Sequence, residues 1–328
     1  MAGENDGATR RKRGCDVVPY GPEDFRAFFL APPSFFVVGA QKAGTSTVHA
    51  VLAQLPGVSL PRTKETHFFC SDDHYRKGPR WYRRCFRGNR SDAVCGEVDP
   101  EYLFCPGAAG RIAAAVPAAK IVVLLREPVE RAFSHYLMSV RRGFETLDFR
   151  AALEREGERL HADAGGMGWK HHSYLTRGLY AAQIRRYLDL FPRENLLFVR
   201  FEDLTGVGTQ RAASSSILRH VGLPSLPGDA LRSPRENEAR AARSRLLSRL
   251  LWGDNWIKRA VRPWLPFRRR RLQLAMAIDR WNRRPVTGGA AFSREDVPPE
   301  ARARLREEAA EVAALTGLDL SSWSERYE

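Results

Sequence analysis

A glycine-rich loop with one lysine and three consecutive hydroxyl residues offers the clearest chemistry in the sequence. It reads GAQKAGTST from Gly39 to Thr47, with its two glycines five positions apart. Backbone N–H groups in such a loop bind anions together with the positive end of a following helix, and glycine lets the ligand approach closely. The pattern predicts a phosphate site formed by Lys42, Ala43, Gly44, Thr45, Ser46 and Thr47.

The position of the lysine distinguishes this loop from that of ATP-binding P-loop proteins. Their motif has a lysine directly after the second glycine, where this chain has Thr45, and its own Lys42 lies inside the loop. A second apolar run, IVVLL, ends at Arg126, which can bind a phosphate directly without a metal ion. A kinase or NTPase that uses ATP and magnesium is the alternative, because Glu202 and Asp203 follow a third apolar run. We interpret those two acids as helix-capping or loop carboxylates.

Arg126 and Ser134 predict a second anion site, separate from the loop. Arg126 closes a predicted strand, and Ser134 lies about two turns into the helix that follows it. Both side chains are expected to reach one phosphate. A nucleotide with two separated phosphate groups is the natural ligand of such a pair of sites.

Alternating strand and helix patterns position these residues. Apolar runs predict buried parallel strands at 34–40, 120–128 and 194–204. Helical patterns occur at 45–55, 129–142, 180–191, 212–222, 235–252 and 298–317. The alternation indicates an α/β, P-loop-like three-layer fold, in which helices flank a central parallel sheet.

The 328 residues suit one large α/β domain. Residues 1–33 are predicted to be a basic tail and lead-in. A single domain follows at 34–328, with a cofactor core at 34–225 and a helical C-terminal part at 226–328.

The formal net charge of +15 implies an anionic partner without naming it. Ten Arg or Lys and one acid, Asp279, occur in 256–284, with aromatic residues between them. We interpret this segment as a solvated helix face plus core tryptophans, and peripheral contact with a membrane or an acidic substrate is the alternative. No base-reading or stacking element is identifiable, so we expect no nucleic-acid partner.

Cysteine usage and hydropathy bear on the compartment. The five cysteines include no CxxC pair, which indicates reduced thiols and no zinc site. No apolar run approaches the roughly 18 residues of a membrane span, and the first residues contain no secretory apolar region. We expect a cytoplasmic protein.

Two motifs together resemble the cofactor signatures of the sulfotransferase superfamily, whose donor is 3′-phosphoadenosine 5′-phosphosulfate (PAPS). They are VVGAQKAGTS and LLREPVERAFSHY, and between them PRTKETHFF is similar to a stretch of the heparan-sulfate and carbohydrate branch. The resemblance covers residues 34–225 and 295–323 and indicates a bacterial-type member. It implies a metal-independent transfer that releases adenosine 3′,5′-bisphosphate. The implied acceptor is a small-molecule or glycan hydroxyl, in a carbohydrate, glycolipid or secondary metabolite.

The resemblance also implies roles for individual residues. Lys42 would stabilise the bridging oxygen of the leaving phosphate, and Arg126 and Ser134 would hold the 3′-phosphate. Glu65, in KETHFF, would be the base that takes the acceptor proton. His67 is the alternative base, and we interpret it instead as a histidine packed among aromatic residues.

The sequence departs from the heparan enzymes at two places. Val98 and Asp99 stand where those enzymes have a lysine and a hydroxyl residue, and TGGAAFSRED lacks their Lys-Gly-Arg stretch, for which Arg294 is the candidate substitute. These departures favour a small acceptor, bound by the loops at 71–92 and 157–176. A module that binds a polyanion or membrane and keeps only the nucleotide fold is the non-enzymatic alternative.

Overall fold

Five parallel strands form the central sheet of the computed structural model, in the order β2-β3-β1-β4-β5. The structure describes residues 19–86, 91–163, 166–224 and 292–327, with short pieces between 240 and 285. The strands are β1 Phe35–Gly39, β2 Val58–Ser59, β3 Val94–Val98, β4 Lys120–Leu125 and β5 Leu196–Arg200. The predicted α/β fold with a parallel sheet is therefore confirmed.

Helices occupy the connections and flank the sheet. Along the first half of the chain they are α1 Pro22–Arg26, α2 Thr45–Leu52, α3 Asp72–Tyr75, α4 Gly78–Arg83, α5 Glu101–Phe104 and α6 Ala108–Ala115. Further on they are α7 Pro128–Arg142, α8 Phe149–Glu154, α9 Glu156–Ala162, α10 Met167–His172, α11 Ala181–Leu188, α12 Phe201–Thr205, α13 Gln210–His220, α14 Pro299–Thr316 and α15 Ser321–Glu325. No helix in the described ranges has both the length and the apolarity to cross a membrane.

The apolar runs at 34–40 and 120–128 become β1 and β4, the buried centre of the sheet. The chain adds β2 and β3 on one side of β1, and β4 and β5 on the other. The carboxyl ends of β1, β3 and β4 therefore meet at the point where the direction of strand addition reverses. Open α/β sheets bind their ligands at this point.

Five of the six predicted helices are confirmed: α2, α11 and α14 are shorter than predicted, α7 begins one residue earlier, and α13 is shifted by two residues. Helix α7 ends at Gly143 and α14 ends at Gly317, both in left-handed conformation. The third predicted strand, 194–204, is shorter than expected, because Phe201–Thr205 forms a helix with two acids in its first turn.

The predicted helix at 235–252 is wrong at Arg240–Ala242. These residues form a strand that pairs antiparallel with Arg283–Pro285. Local periodicity does not detect pairing with a segment about forty residues away, so this part of the C-terminal region is not helical throughout. The rest of that prediction, the tail at 1–15 and most of the basic segment 256–284 lie outside the described residues. Trp281 of that segment is 66% exposed, which is not the core position that we expected.

The last two helices pack onto the core beside α11. Trp323 of α15 lies against Tyr180 at 6.3 Å between ring centroids, and the Tyr327 hydroxyl donates to the Glu127 carboxylate. Glu127 caps α7 by accepting from the backbone of Val129 and Glu130 at 2.9 and 2.7 Å. The C-terminal residues thus brace the start of α7, whereas the proposed domain bounds stay a prediction.

Two glycines give a matched test of the packing. Gly96 of β3 faces Phe35 of β1, and an added Cβ would lie 2.3 Å from a ring carbon of Phe35. At Gly110, in α6, no atom lies within 4 Å of the place that an added Cβ would occupy. We expect Gly96→Ala to lower the free energy of unfolding by about 1–3 kcal/mol. Gly110→Ala should raise it by about 0.5–1 kcal/mol. Urea denaturation of both variants measures this, and equal effects would contradict the packing of β3 on β1.

Candidate functional site

The predicted anion loop connects β1 to α2. Gly44 precedes the helix with φ of 89°, and α2 begins at Thr45, so the first N–H groups of the helix point out of the loop. A Cβ on Gly44 would also lie 3.1 Å from the Phe201 ring. The sequence prediction of a strand, a loop and a helix that starts at the hydroxyl residues is confirmed.

Lys42 lies in a cluster of positive charge. Its pKa is lowered to about 7 by burial first, and then by the charges of Arg141, Arg142, Arg126 and Arg131. In the described ranges, no carboxylate forms an ion pair with Lys42. A buried lysine that lacks an acidic partner and lies next to four arginines is the electrostatic complement of a bound anion.

Two further buried side chains interact electrostatically with Lys42. Arg131 of α7 is fully buried, and its Nε and Nη1 atoms have no partner in the described part of the chain. His135, one turn further on, leaves both ring nitrogens without a partner, and its pKa is held well below the usual range by burial and by Arg131. Buried polar atoms without a protein partner are available to bind a ligand. Sequence analysis did not identify either residue.

Arg126 lies against the loop, as its position after β4 predicts. Its Nη1 donates to the Lys42 carbonyl at 3.4 Å, and its guanidinium lies 4.6 Å from the centroid of the Phe201 ring. Glu130 pairs with it at 3.2 Å. Ser134 is half-buried in the second turn of α7. The roles of Arg126 and Ser134 toward a phosphate stay predictions.

Three candidate residues share an unusual backbone conformation. Lys42, Glu65 and His67 have φ of 72°, 66° and 54°, and these are the non-glycine residues with positive φ among those the structure describes. Such conformations are costly for residues with a Cβ, and they cluster at functional sites. The residues singled out for their chemistry are thus also those that the fold holds under strain.

Glu65 is accessible enough to act on a ligand. Its side chain is 35% exposed, and the Lys64 ammonium holds one of its oxygens at 2.5 Å. The negative charge of Glu65 also acts to raise the pKa of His49 and of His67. This arrangement leaves a carboxylate oxygen that can accept a proton.

His67 is bound to a buried acid. Asp99 accepts from the His67 backbone at 2.7 Å and lies 3.0 Å from its ring Nδ1. Burial acts to lower the pKa of His67, but Asp99, Glu101 and Glu65 raise it to about 9. A histidine already protonated at neutral pH cannot accept a proton, which disfavours His67 as the base. Our interpretation of an aromatic-cluster histidine is wrong, because the ring is ion-paired.

Sequence analysis did not identify the row of acids near the end of β3, Glu97, Asp99 and Glu101. Glu97 accepts from the Thr66 backbone at 2.9 Å and from Tyr82 and Tyr102 at 2.6 and 2.9 Å. Burial and the charge of Asp99 raise the pKa of Glu97 to about 7. Acids at every second position of GEVDPE were the available signal, because that spacing places them on one face of a strand.

Glu101 connects the loop to a neighbouring cleft. Gln41 of the loop donates to it at 3.1 Å, and Arg177 donates two bonds at 3.1 and 2.9 Å. The cleft has a volume of about 900 Å³ and is lined by parts of 67–76, 101–106 and 166–177. It therefore includes parts of both predicted acceptor loops.

The two acids that supported the alternative of a magnesium nucleotide lie in the first turn of α12. Asp203 binds Arg200 through two bonds of 2.9 and 2.8 Å, in the first turn of α12. Glu202 is exposed in the same turn. Within the described ranges, no group of acids, histidines and cysteines could hold a metal ion. Cys70, Cys85, Cys95 and Cys105 are all free, in agreement with the sequence.

Comparison with known proteins matches the region that carries the site. A family model described as the sulfotransferase domain matches residues 32–214. Among solved structures, a sulfotransferase from Alicyclobacillus acidocaldarius has a TM-score of 0.60 and 28% sequence identity. That likeness covers 89% of this chain and 99% of the other.

Curated relatives show a similar level of identity over a shorter stretch. Heparan sulfate glucosamine 3-O-sulfotransferase 3B1 of Mus musculus is 29% identical over 208 residues, which are 60% of this chain and 50% of that protein. Heparan sulfate glucosamine 3-O-sulfotransferase 6 of Homo sapiens is 32% identical over 172 residues, 52% of this chain and 47% of that protein. The chain thus spans about half the length of the curated relatives it matches.

The uncompensated charge of Lys42 should cost stability. The lowered pKa means that the charged form is disfavoured in the folded state, so the cost is full below pH 7 and disappears as pH rises toward 10. We expect Lys42→Met to raise the free energy of unfolding by about 1–3 kcal/mol at pH 6, and by less at pH 9. Exposed Lys170→Met is the control and should change little. A loss of stability in Lys42→Met at pH 6 would contradict the cluster.

Proposed function

Because this chain belongs to the sulfotransferase family, we propose that it transfers a sulfuryl group from PAPS to a hydroxyl of a carbohydrate-type or other small acceptor. The observation that carries the proposal is Lys42, which lies at the carboxyl end of β1 beside the charges of four arginines and forms no ion pair with a carboxylate in the described ranges. The Arg131 guanidinium, with two unpartnered atoms, adds to this group. These residues fit a nucleotide with several anionic groups.

Donor binding uses both anion sites. The loop residues Gly44 to Thr47 would hold the 5′-phosphate with their N–H and hydroxyl groups, and Arg126 with Ser134 would hold the 3′-phosphate. Bound PAPS supplies a sulfuryl group that is activated by its link to the 5′-phosphate. The Arg126 guanidinium must exchange its contact with Glu130, because the same atoms serve the phosphate.

Lys42 and Glu65 act on the two sides of the transfer. The bond from sulfur to the bridging oxygen breaks, and Lys42 stabilises the negative charge that this oxygen acquires. The acceptor oxygen forms the new bond to sulfur, and its proton passes to Glu65. Lys64 holds the other side of the Glu65 carboxylate and fixes its direction. Because sulfuryl transfer places less charge on the migrating group than phosphoryl transfer, positioning and these charges are sufficient.

The proposal predicts which nucleotide stabilises the protein. Adenosine 3′,5′-bisphosphate at 100 times its Kd should raise the free energy of unfolding by about 2.7 kcal/mol. ATP with magnesium should stabilise much less, and Arg126→Ala should remove most of the shift. A thermal-shift series with both nucleotides measures this. Stabilisation by ATP with magnesium alone would return the protein to the kinase alternative.

Glu65 provides the test of the chemical step. We expect Glu65→Gln to lower kcat by about 10²–10⁴-fold while the bisphosphate still binds, because only proton removal is lost. Glu202→Gln is the control, since it removes an exposed carboxylate just after the carboxyl end of β5. The kcat of both variants is measured by steady-state kinetics. Full activity in Glu65→Gln, or an inactive Glu202→Gln, would overturn the assignment.

A further inference from the structure

The cleft beside the anion loop differs from the rest of the chain in its charge. Its described lining includes the carboxylates Asp72, Asp73 and Glu101 and the cations Arg76, Lys170, Arg177 and protonated His67. These charges nearly cancel, since four cations face three carboxylates, whereas the whole chain has a formal net charge of +15. The surroundings of the anion loop are therefore strongly positive, whereas the cleft is nearly neutral.

Most of the cationic side chains at the cleft already have acidic partners. Arg177 is almost fully buried and binds Glu101 through two bonds. His67 is paired with Asp99, and Arg76 lies 3.4 Å from Asp73 on the rim. A polyanion is bound by cations whose charge is free to replace its counterions. The described cleft offers one such cation, Lys170.

An aromatic surface forms one wall of the cleft. Trp169 of α10 stacks on Phe104 of α5, with ring centroids 4.7 Å apart and an angle of 27°. The Arg177 guanidinium lies 4.3 Å from the centre of the Phe104 ring and holds that ring in place. Trp169 is half-buried, so part of its indole faces the cavity. Trp169 and Phe104 thus form a flat, apolar wall that Arg177 holds in place.

We propose that the acceptor is a small, uncharged glycoside, whose C–H face lies on Trp169 and whose hydroxyls meet the mixed charges of the rim. A sugar hydroxyl both donates and accepts, so it can bond to Asp73 on one side and to Arg76 or Lys170 on the other. Its ring also has an apolar face, which suits an aromatic wall. The inference rests on the proposed sulfuryl transfer and names the acceptor class of that same site.

The reaction is the same transfer, with a sugar hydroxyl as nucleophile. One S–O bond to the donor phosphate breaks, one S–O bond to the sugar forms, and the sugar proton goes to Glu65. The glycoside inference therefore adds no reactant beyond the acceptor itself.

The first experiment compares acceptors on the full chain with radiolabelled PAPS. The probes are a panel of p-nitrophenyl glycosides of neutral hexoses, the corresponding glucuronide, and heparosan oligosaccharides as the polyanion. We expect one or more neutral glycosides to be at least about tenfold better in kcat/KM than the glucuronide and heparosan. Their KM should change little between 0.05 and 0.3 M salt, on the order of twofold or less, because an uncharged ligand is not screened.

The second experiment tests the wall itself. We expect Trp169→Ala to raise the acceptor KM by about tenfold, the equivalent of one aromatic contact, with little change in kcat. Trp169→Phe keeps a ring and should restore most of the affinity. The bisphosphate-induced shift in melting temperature should be unchanged in both variants, which shows that the fold and the donor site are intact.

Each other outcome is decisive. Preference for heparosan, or an unchanged KM in Trp169→Ala, overturns the glycoside inference. If none of the probes accepts sulfate but the bisphosphate still stabilises the protein, the inference fails and the donor assignment stands. If the bisphosphate does not bind at all, the proposed function itself fails.

Discussion

The buried carboxylates at the end of β3 determine where the reactive groups of the site lie. Glu97 binds the Thr66 backbone, and Asp99 binds the His67 backbone at 2.9 and 2.7 Å respectively. These two bonds hold a segment whose residues at 65 and 67 both have positive φ. Since that conformation is costly, the two bonds to charged acceptors, which are stronger than neutral ones, must support it. The direction of Glu65 thus depends on acids that never meet the acceptor.

The aromatic packing around these acids explains why their bonds are strong. Phe68 stacks on Tyr82 at 4.5 Å, and Phe69 packs against Tyr102. Both tyrosine hydroxyls donate to Glu97, so the rings exclude water and at the same time satisfy the buried charge. In such surroundings a satisfied carboxylate is rigid, while an unsatisfied one would be very unfavourable. The same logic is reversed at Lys42, where the charge is left uncompensated for a ligand.

The sequence predicts the parts of this site that follow one another along the chain. Each of these parts has its own local signal. Apolar runs mark the strands, two glycines and Lys42 mark the loop, and Arg126 is marked by its position directly after an apolar run. Strand β3 was missed because Gly96 and Glu97 interrupt its apolar pattern, yet both are fully accommodated: the glycine by Phe35, and the acid by two tyrosines. The pairing of His67 with Asp99 joins residues 32 positions apart and has no local signature. Arg131 and His135 look like ordinary helix residues, and only their burial and their electrostatic interaction with Lys42 distinguish them.

The connection from Gln41 through Glu101 to Arg177 couples the two halves of the site. Gln41 belongs to the anion loop, and Arg177 supports the aromatic wall through Phe104. In a transfer reaction the two reacting oxygens must be aligned on one sulfur atom, and small errors of position are costly. A short chain of hydrogen bonds between the donor loop and the acceptor wall fixes their relative position. Because Glu101 and Arg177 neutralise each other, this coupling adds no net charge to the cleft. The cations around Lys42 can therefore bind the donor, while the acceptor contacts a nearly neutral surface.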